Sequence, residues 1–554
     1  MGEEVPASAE TVSPGASGSF VRHSAVMSVG TTLSRATGFL RLSAMAYALG
    51  VAESRLADSY QVANTTPNII YELALGGILS SVFVPVFVEW LQTRGREAAW
   101  HTAQAVLTFA MLFLGLVMVA GMIGAGTIVD LYTVQVAGPQ REAMRALASF
   151  FLVFFMPQIV FYGLGAVATG LLNAHRRFSV PMFAPILNNV VVAATFLLFA
   201  ALPGPAEPTP SGITTAQRYV LAVGTTLGVA AMTVALWPSL RKLGFRLRWT
   251  LDLRDAGLRR IGRLAGWAFT YVLINQVGFL VVIVFAGEVQ GGVAAYTAAF
   301  ILFQLPHAIF AVSIMTALLP SLSGFWAEGD RAAFRSQLAQ GIRATAFIVV
   351  PASFGYLALA VPIVRVLLQH GVAQETSTTL VAGVLVAFSA GLFSFSAFQL
   401  FLRAFYAMQD TRTPALIKAC TVGLNIALVL VLFPRLRVQG LALAHAIAYT
   451  VAAVAAAAIL RRRLGGLEGR RLIASLARVA FAGCATGAAA YLASRWVENA
   501  LGTEALPAQL LQVGAALAAG GAAFLGMSVL LRIEEMSVIR RLARARFAGF
   551  RDGS

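Results

Sequence analysis

The chain is 554 residues long, 58% hydrophobic and only 12% charged, a balance that excludes an ordinary soluble domain and suits a polytopic membrane protein. Its net charge of +17 need not mean a nucleic-acid partner: only Lys242 and Lys418 are lysines, and most arginines fall between apolar segments, where they set topology. The two cysteines, Cys420 and Cys484, both lie in apolar segments, so neither a disulfide framework nor a thiolate metal site is available.

Residues 1–20 are rich in Ser, Pro, Gly, Ala and Glu, lack a basic start and read as a disordered cytoplasmic tail rather than a cleaved signal. After them come about 14 apolar stretches of spanning length, near 24–49, 60–91, 99–130, 147–172, 181–203, 217–241, 261–286, 293–321, 343–368, 378–407, 413–434, 438–460, 473–495 and 507–531. The fold class is therefore all-α, a polytopic membrane protein. Loops after even-numbered stretches carry nineteen Lys and Arg against seven in the odd set, which puts both termini in the cytoplasm. The longest connection, about 241–262, holds seven basic residues and reads as a linker on an anionic leaflet.

A faint repeat organises the first twelve stretches. Pro67, Pro85 and Pro181 find partners in Pro306, Pro320 and Pro414 at nearly constant offsets. Two six-helix lobes of like orientation follow, around a central cavity. The expected division is 21–241 for the N-lobe, 242–262 for a cytoplasmic linker, 263–462 for the C-lobe, 463–535 for two further helices and 536–554 for a basic cytoplasmic tail.

The first apolar stretch contains Arg35 and Arg41. A fixed charge at mid-bilayer costs about 2.5–3.5 kcal/mol, so such a pair is expected to face water and an anionic ligand. Snorkelling to the interface is the competing reading. Arg41 lies about 25 Å along a helix from Ser24, too deep for that. In the second stretch Asn64, Asn68, Glu72 and Gly76 recur at steps of four and make one polar side, with Pro67 freeing a backbone carbonyl. That row is expected to face the cavity, with Glu72 as a resting partner for an arginine; interhelical hydrogen bonding is the alternative for Asn68 and Glu72. Gln304 and Arg403 are the first choices among the other intramembrane polar residues. Asp410-Thr411-Arg412-Thr413-Pro414 forms either a capping loop or a gate at the cytoplasmic mouth. Gly38, Pro67, Gly76, Asp410 and Arg412 are the candidate gate and hinge positions.

Nothing in the chain matches a phosphate-binding GxxxxGK[ST] loop, HExxH, CxxC or GxSxG. Catalytic and metal-ligating residues and a cofactor are not expected; a secondary transporter or flippase is.

The run Leu33-Ser34-Arg35-Ala36-Thr37-Gly38-Phe39-Leu40-Arg41, the segments from Ala63 to Asn68 and Gly76 to Phe87, Phe178 to Pro185, Leu318 to Ser323 and Phe405 to Pro414 resemble, as an ordered set, the MurJ/MviN family. That family comprises lipid II flippases of the multidrug/oligosaccharidyl-lipid/polysaccharide exporter superfamily, and the resemblance covers about 20–535. It carries two essential arginines onto Arg35 and Arg41. The chain departs from better known members at Leu42, at Tyr71-Glu72 and at Phe300-Ile301, where those have charged residues; it looks like an actinobacterial branch.

The resemblance implies alternating access that moves undecaprenyl-pyrophosphate-linked disaccharide peptide from the inner to the outer leaflet of a bacterial cytoplasmic membrane. The lipid tail would enter between the first and eighth helices and lie along the last two. It also implies dependence on membrane lipids, a drive from an ion or the membrane potential and possible contact with cell-wall synthesis proteins, and no nucleic acid. The alternatives are a flippase for another polyprenyl-linked saccharide, a cation-coupled drug exporter of the same superfamily, or a membrane scaffold.

Overall fold

A computed structural model describes residues 14–73, 83–175, 177–245, 248–252 and 256–536, with backbone alone for 14–29, 31, 84, 256, 261–268 and 271. Gly76 and the basic tail after 536 lie outside the described residues. Every element among the described residues is helical. The chain runs through α1 (Pro14–Leu49), α2 (Leu56–Tyr71), α3 (Val84–Thr93), α4 (Gly95–Ile123), α5 (Ala125–Tyr132), α6 (Pro139–Phe155), α7 (Gln158–Ala174), α8 (Ser179–Ala201), α9 (Thr215–Val234) and α10 (Trp237–Lys242). It continues through α11 (Ala256–Ala286), α12 (Gly292–Pro306), α13 (Val312–Ala327), α14 (Arg331–Leu368), α15 (Glu375–Ser389), α16 (Leu392–Ala407), α17 (Arg412–Leu464), α18 (Gly469–Leu501) and α19 (Leu506–Leu530). α1 begins at Pro14, inside the segment read as a tail.

Nine helices or helix pairs among the described residues are long and apolar enough to cross a membrane, and α15 with α16, bent by 49°, make a tenth. The sequence suggests about 14. The stretches 413–434 and 438–460 are the two arms of α17, which breaks at Arg437, whose φ is +50°. The stretch 60–91 crosses residues outside the description, and in α11 the fully described apolar part is Val272–Ala286. Large side chains such as Ile123, Trp496 and Leu530 stand exposed on the outer faces, as they do where lipid, not water, is the solvent.

The helix ends follow local chemistry. Thr214 and Gln217 form a reciprocal capping box at the start of α9, and Asp330 accepts from the Ala333 N–H at the start of α14. Pro306 cannot supply a backbone donor, and 307–311 widens into a π turn immediately after it.

Two groups of helices pack separately. α1 lies along α8, α8 along α9 and α2 along α6, whereas α11, α12 and α14–α17 pack among themselves. In the first group Tyr60 meets Phe151, Phe155 and Phe196 edge-on at 5.2–6.1 Å. In the second, Phe300, Phe303, Phe388 and Phe395 surround His445 at 5.4–5.8 Å. α18 and α19 pack on each other and on α14, outside both groups. Their base is tied by Arg343, which reaches Glu535 at 3.1 Å and Glu468 at 3.5 Å, while Arg471 holds Glu534 at 2.7 Å.

Candidate functional site

The site lies where the two helix groups face each other. A cavity of about 380 Å³ is walled by Arg35, Gly38 and Arg41 of α1, Pro185 and Asn189 of α8, and Ile301 and Leu305 of α12. A smaller one of about 150 Å³ continues past Arg41 to Tyr60, Asn64 and Asn68 of α2 and to Thr297 and Ile301 of α12. Arg41 belongs to both, so the two form one polar path with α12 as its far wall.

Local sequence explains how α1 holds its arginines there. Asn189 of α8 donates to the Ser34 carbonyl at 3.1 Å and to the Thr37 hydroxyl at 3.2 Å, fixing the rotation of α1. Arg35 and Arg41 are six residues apart, about 9 Å along the axis. Arg35 is exposed and Arg41 half-buried, and neither has an ion pair or hydrogen bond among the described residues. Arg35 lies within electrostatic reach of His307, and Arg41 of Tyr60 and Tyr162. The described cavity lining contains no carboxylate.

The other expected residues divide. Asn64 and Asn68 reach the cavity, although Asn68 spends one donor on the Asn64 carbonyl at 2.9 Å. Pro67 is buried in α2. Glu72 is exposed at the end of that helix and makes no ion pair among the described residues. Gln304 lines a different cavity, on the other side of α12, and Arg403 is exposed on α16, lining neither path. Asp410 accepts from the Thr413 N–H at 3.0 Å at the start of α17 and pairs with Arg463 at 2.5 Å near its end. Burial alone would raise the Asp410 carboxyl, but the Thr413 donors and the Arg463 guanidinium bring it down to about 2. Arg412 beside it is exposed.

One device escaped sequence reading. At the α1–α2 turn, two carboxylates of the first helix group cap helices of the second. Asp58, fully buried, accepts from the N–H groups of Gly291 at 2.7 Å and Ala294 at 3.1 Å, at the start of α12. Glu53 accepts from the Gln374 N–H at 2.8 Å and the hydroxyls of Thr376 and Ser377 at 2.9 and 2.6 Å, at the start of α15. Each helix start offers orphan donors and a positive dipole end, so a carboxylate from the facing group is a strong link. Arg55 completes the clasp with bonds to the Gly287 and Glu288 carbonyls at 2.8 and 3.0 Å. Burial pushes the Glu53 carboxyl up, but the bonds from Ser377, Gln374 and Val51 outweigh it and leave it below its ordinary 4.5. Gly291 is required where the two chain segments of the clasp cross. Its φ is +73°, and a Cβ there would run into the Val51 carbonyl oxygen and Ala52 Cα. The only sequence signal was an acidic residue in the first turn of α2.

The arrangement is a water-reachable path lined by two guanidinium groups without a counter-charge among the described residues, between two helical groups latched at one end. It can bind an anion and, if the latch opens, expose it on the opposite side.

The family described as "Lipid II flippase MurJ" matches residues 45–512. The "Probable lipid II flippase MurJ" of Rhizobium meliloti is 27% identical over 526 residues, 94% of this chain and 96% of that protein. The "Lipid II flippase MurJ" of Burkholderia cenocepacia is 28% identical over 389 residues, 69% and 72% of the two. Among solved structures, a lipid II flippase MurJ in an inward closed conformation superposes with a TM-score of 0.73 at 20% identity, covering 91% of this chain and 98% of that one. An inward-facing multidrug resistance MATE transporter of the MOP superfamily superposes at 0.62 and 15% identity, over 78% and 96%. A family match that spans most of the chain, together with a fold that superposes on a solved member, shows that this protein belongs to the lipid II flippase MurJ family.

Proposed function

We propose that this chain carries lipid II from the inner to the outer leaflet of a bacterial cytoplasmic membrane by alternating access, with Arg35 and Arg41 binding the pyrophosphate. The observation that carries this is the arginine pair itself: two guanidinium groups inside an apolar helix, facing a cavity with no described carboxylate. Charges held at that depth are costly unless an anion or water meets them. A pyrophosphate matches, because the planar fork of each guanidinium fits phosphate oxygens two at a time and stays charged at any physiological pH.

In this reading the undecaprenyl chain stays in the bilayer, enters beside α1 and α12 and lies along α18 and α19, while residues 21–241 and 263–462 act as the rocking lobes. Asn64 and Asn68 supply polar contacts to the disaccharide peptide. Both termini are cytoplasmic, so the path opens inward first and the clasp at Glu53, Arg55 and Asp58 is the outer gate. Its bonds must break for the headgroup to leave. An inside-negative potential favours outward movement of a dianionic headgroup by about 2.3 kcal/mol per charge per 100 mV. A cation-coupled drug exporter would need acids where this cavity presents arginines, which disfavours that alternative.

The test is complementation. The chain should restore cell-wall synthesis to cells depleted of their own lipid II flippase, and Arg35→Ala or Arg41→Ala chains that insert normally should not. Failure of the unaltered chain to restore growth, with flipping of a different polyprenyl-linked saccharide in vesicles, would reassign the substrate.

A further inference from the structure

A second polar cavity of about 350 Å³ lies wholly within the other helix group, behind α12. Its wall carries Lys418, one of two lysines in the chain. Lys418 is 8% exposed, donates to the Tyr449 hydroxyl at 2.5 Å and stands 4.9 Å from the centre of that ring. The amides of Asn275, Gln304, Gln399 and Asn425 converge on the same space from α11, α12, α16 and α17. None of the four makes a hydrogen bond among the described residues. His445, 9% exposed, also lines it, and its Nδ1 is buried without a partner. Of these groups the His445 Nδ1 is the buried one that the protein leaves unsatisfied, and such an atom calls for a ligand or ordered water. Asn275 is exposed, so the space is reachable from outside.

The chemistry selects the ligand. Four amides can turn their NH₂ groups inward, the ammonium supplies positive charge and the described lining holds no carboxylate to bind a cation. The space is of ligand size rather than ion size, with the rings of Tyr296, Phe300, Phe395 and Tyr449 as an apolar wall. We propose that this cavity is a binding site for a small organic carboxylate, free or borne on the end of a peptide, held between Lys418 and the amides. Tyr449 positions the ammonium, and Asn425, two turns along α17 from Lys418, reads the second carboxylate oxygen. The site is separate from the arginine path: Thr297, Ile301 and Leu305 of α12 face that path, and Tyr296, Phe300 and Gln304 face this one.

Equilibrium dialysis of radiolabelled acetate against the purified full chain tests this. Saturable binding near one per chain is expected, weakened about tenfold or more by Lys418→Met and by Asn425→Leu, the scale of a lost charge-assisted bond. Arg35→Ala should leave it unchanged, so loss of the flippase reading does not remove this one. Asn425→Leu decides the matter if Lys418→Met does not fold. Absence of saturable acetate, or binding that Arg35→Ala abolishes while Asn425→Leu does not alter it, overturns the proposal. A dipeptide with a free carboxylate that displaces acetate, where its carboxamide does not, identifies a peptide-borne source; acetate binding with no displacement by either identifies a free anion.

Discussion

Arg343 and the Arg35–Arg41 pair are all guanidinium groups on largely apolar helices, and the fold treats them in opposite ways. Arg343 is only 8% exposed at its side chain and sits within 4.0 Å of Glu468, Glu534 and Glu535. Arg35 and Arg41 stand in a cavity whose described walls offer amides, hydroxyls and hydrocarbon. Burial by itself does not mark a functional charge. What marks it is whether the tertiary structure supplies the counter-charge or leaves that to a ligand.

The largest expected effect tests the open half of that contrast. Arg35→Ala or Arg41→Ala should abolish flipping in reconstituted vesicles with little change in melting temperature, since neither arginine makes a hydrogen bond or ion pair among the described residues. Lysine at either position should recover part of the rate, giving charge without the fork. Wild-type rates for either alanine variant would break the comparison.

The closed half should behave in reverse. Arg343→Ala leaves Glu535 without its partner, while Glu468 and Glu534 keep Arg471, and should cost about 2 kcal/mol, less than breaking an isolated buried pair. The flipping rate per folded molecule should be retained. An inactive variant of unchanged stability would move Arg343 into the working machinery.

The clasp at Glu53, Arg55 and Asp58 lies between these extremes, because its carboxylates are satisfied but by helix starts that must separate in the proposed cycle. Glu53→Gln should lower the barrier to outward opening and cost about 1–2 kcal/mol. The Glu53 carboxyl is held below its ordinary 4.5, so its contribution is fully present above that pH and is lost as pH falls through the lower folded value. Melting temperature should therefore drop below pH 4.5 more steeply in the wild type than in Glu53→Gln. Parallel profiles would show that the clasp does not depend on this charge.

The smallest effect concerns Glu72. It has no described ion pair in this state, so Glu72→Gln should change stability by no more than about 0.5 kcal/mol. Lipid affinity measured on the same variant sharpens its role: a shift would assign Glu72 to a state in which it meets the ligand or the arginines.

Much of the architecture was legible in the chain. Hydropathy over stretches of membrane length specifies a helical membrane protein because the bilayer requires each span to satisfy its own backbone. The depth of Arg35 and Arg41 specified a polar path, since a guanidinium left in hydrocarbon is too costly to persist without water or a counter-ion beside it. The stretches 413–434 and 438–460 were legible as two, because hydropathy pauses beside Arg437, where α17 breaks.

The tertiary structure alone decided which polar residues share a space. Positions 297, 301 and 305 of α12 form one stripe and 296, 300 and 304 the next, about 100° around the helix. Both stripes are mostly apolar, so nothing local told which one faces the arginines, and Gln304 proved to belong to the other cavity. The clasp was hidden for a related reason. Asp58 meets Gly291 and Glu53 meets Ser377 across 233 and 324 residues, and an acid that caps a distant helix leaves no periodic trace in its own segment. Period and depth are properties of a segment, whereas partnership between segments exists only once they pack.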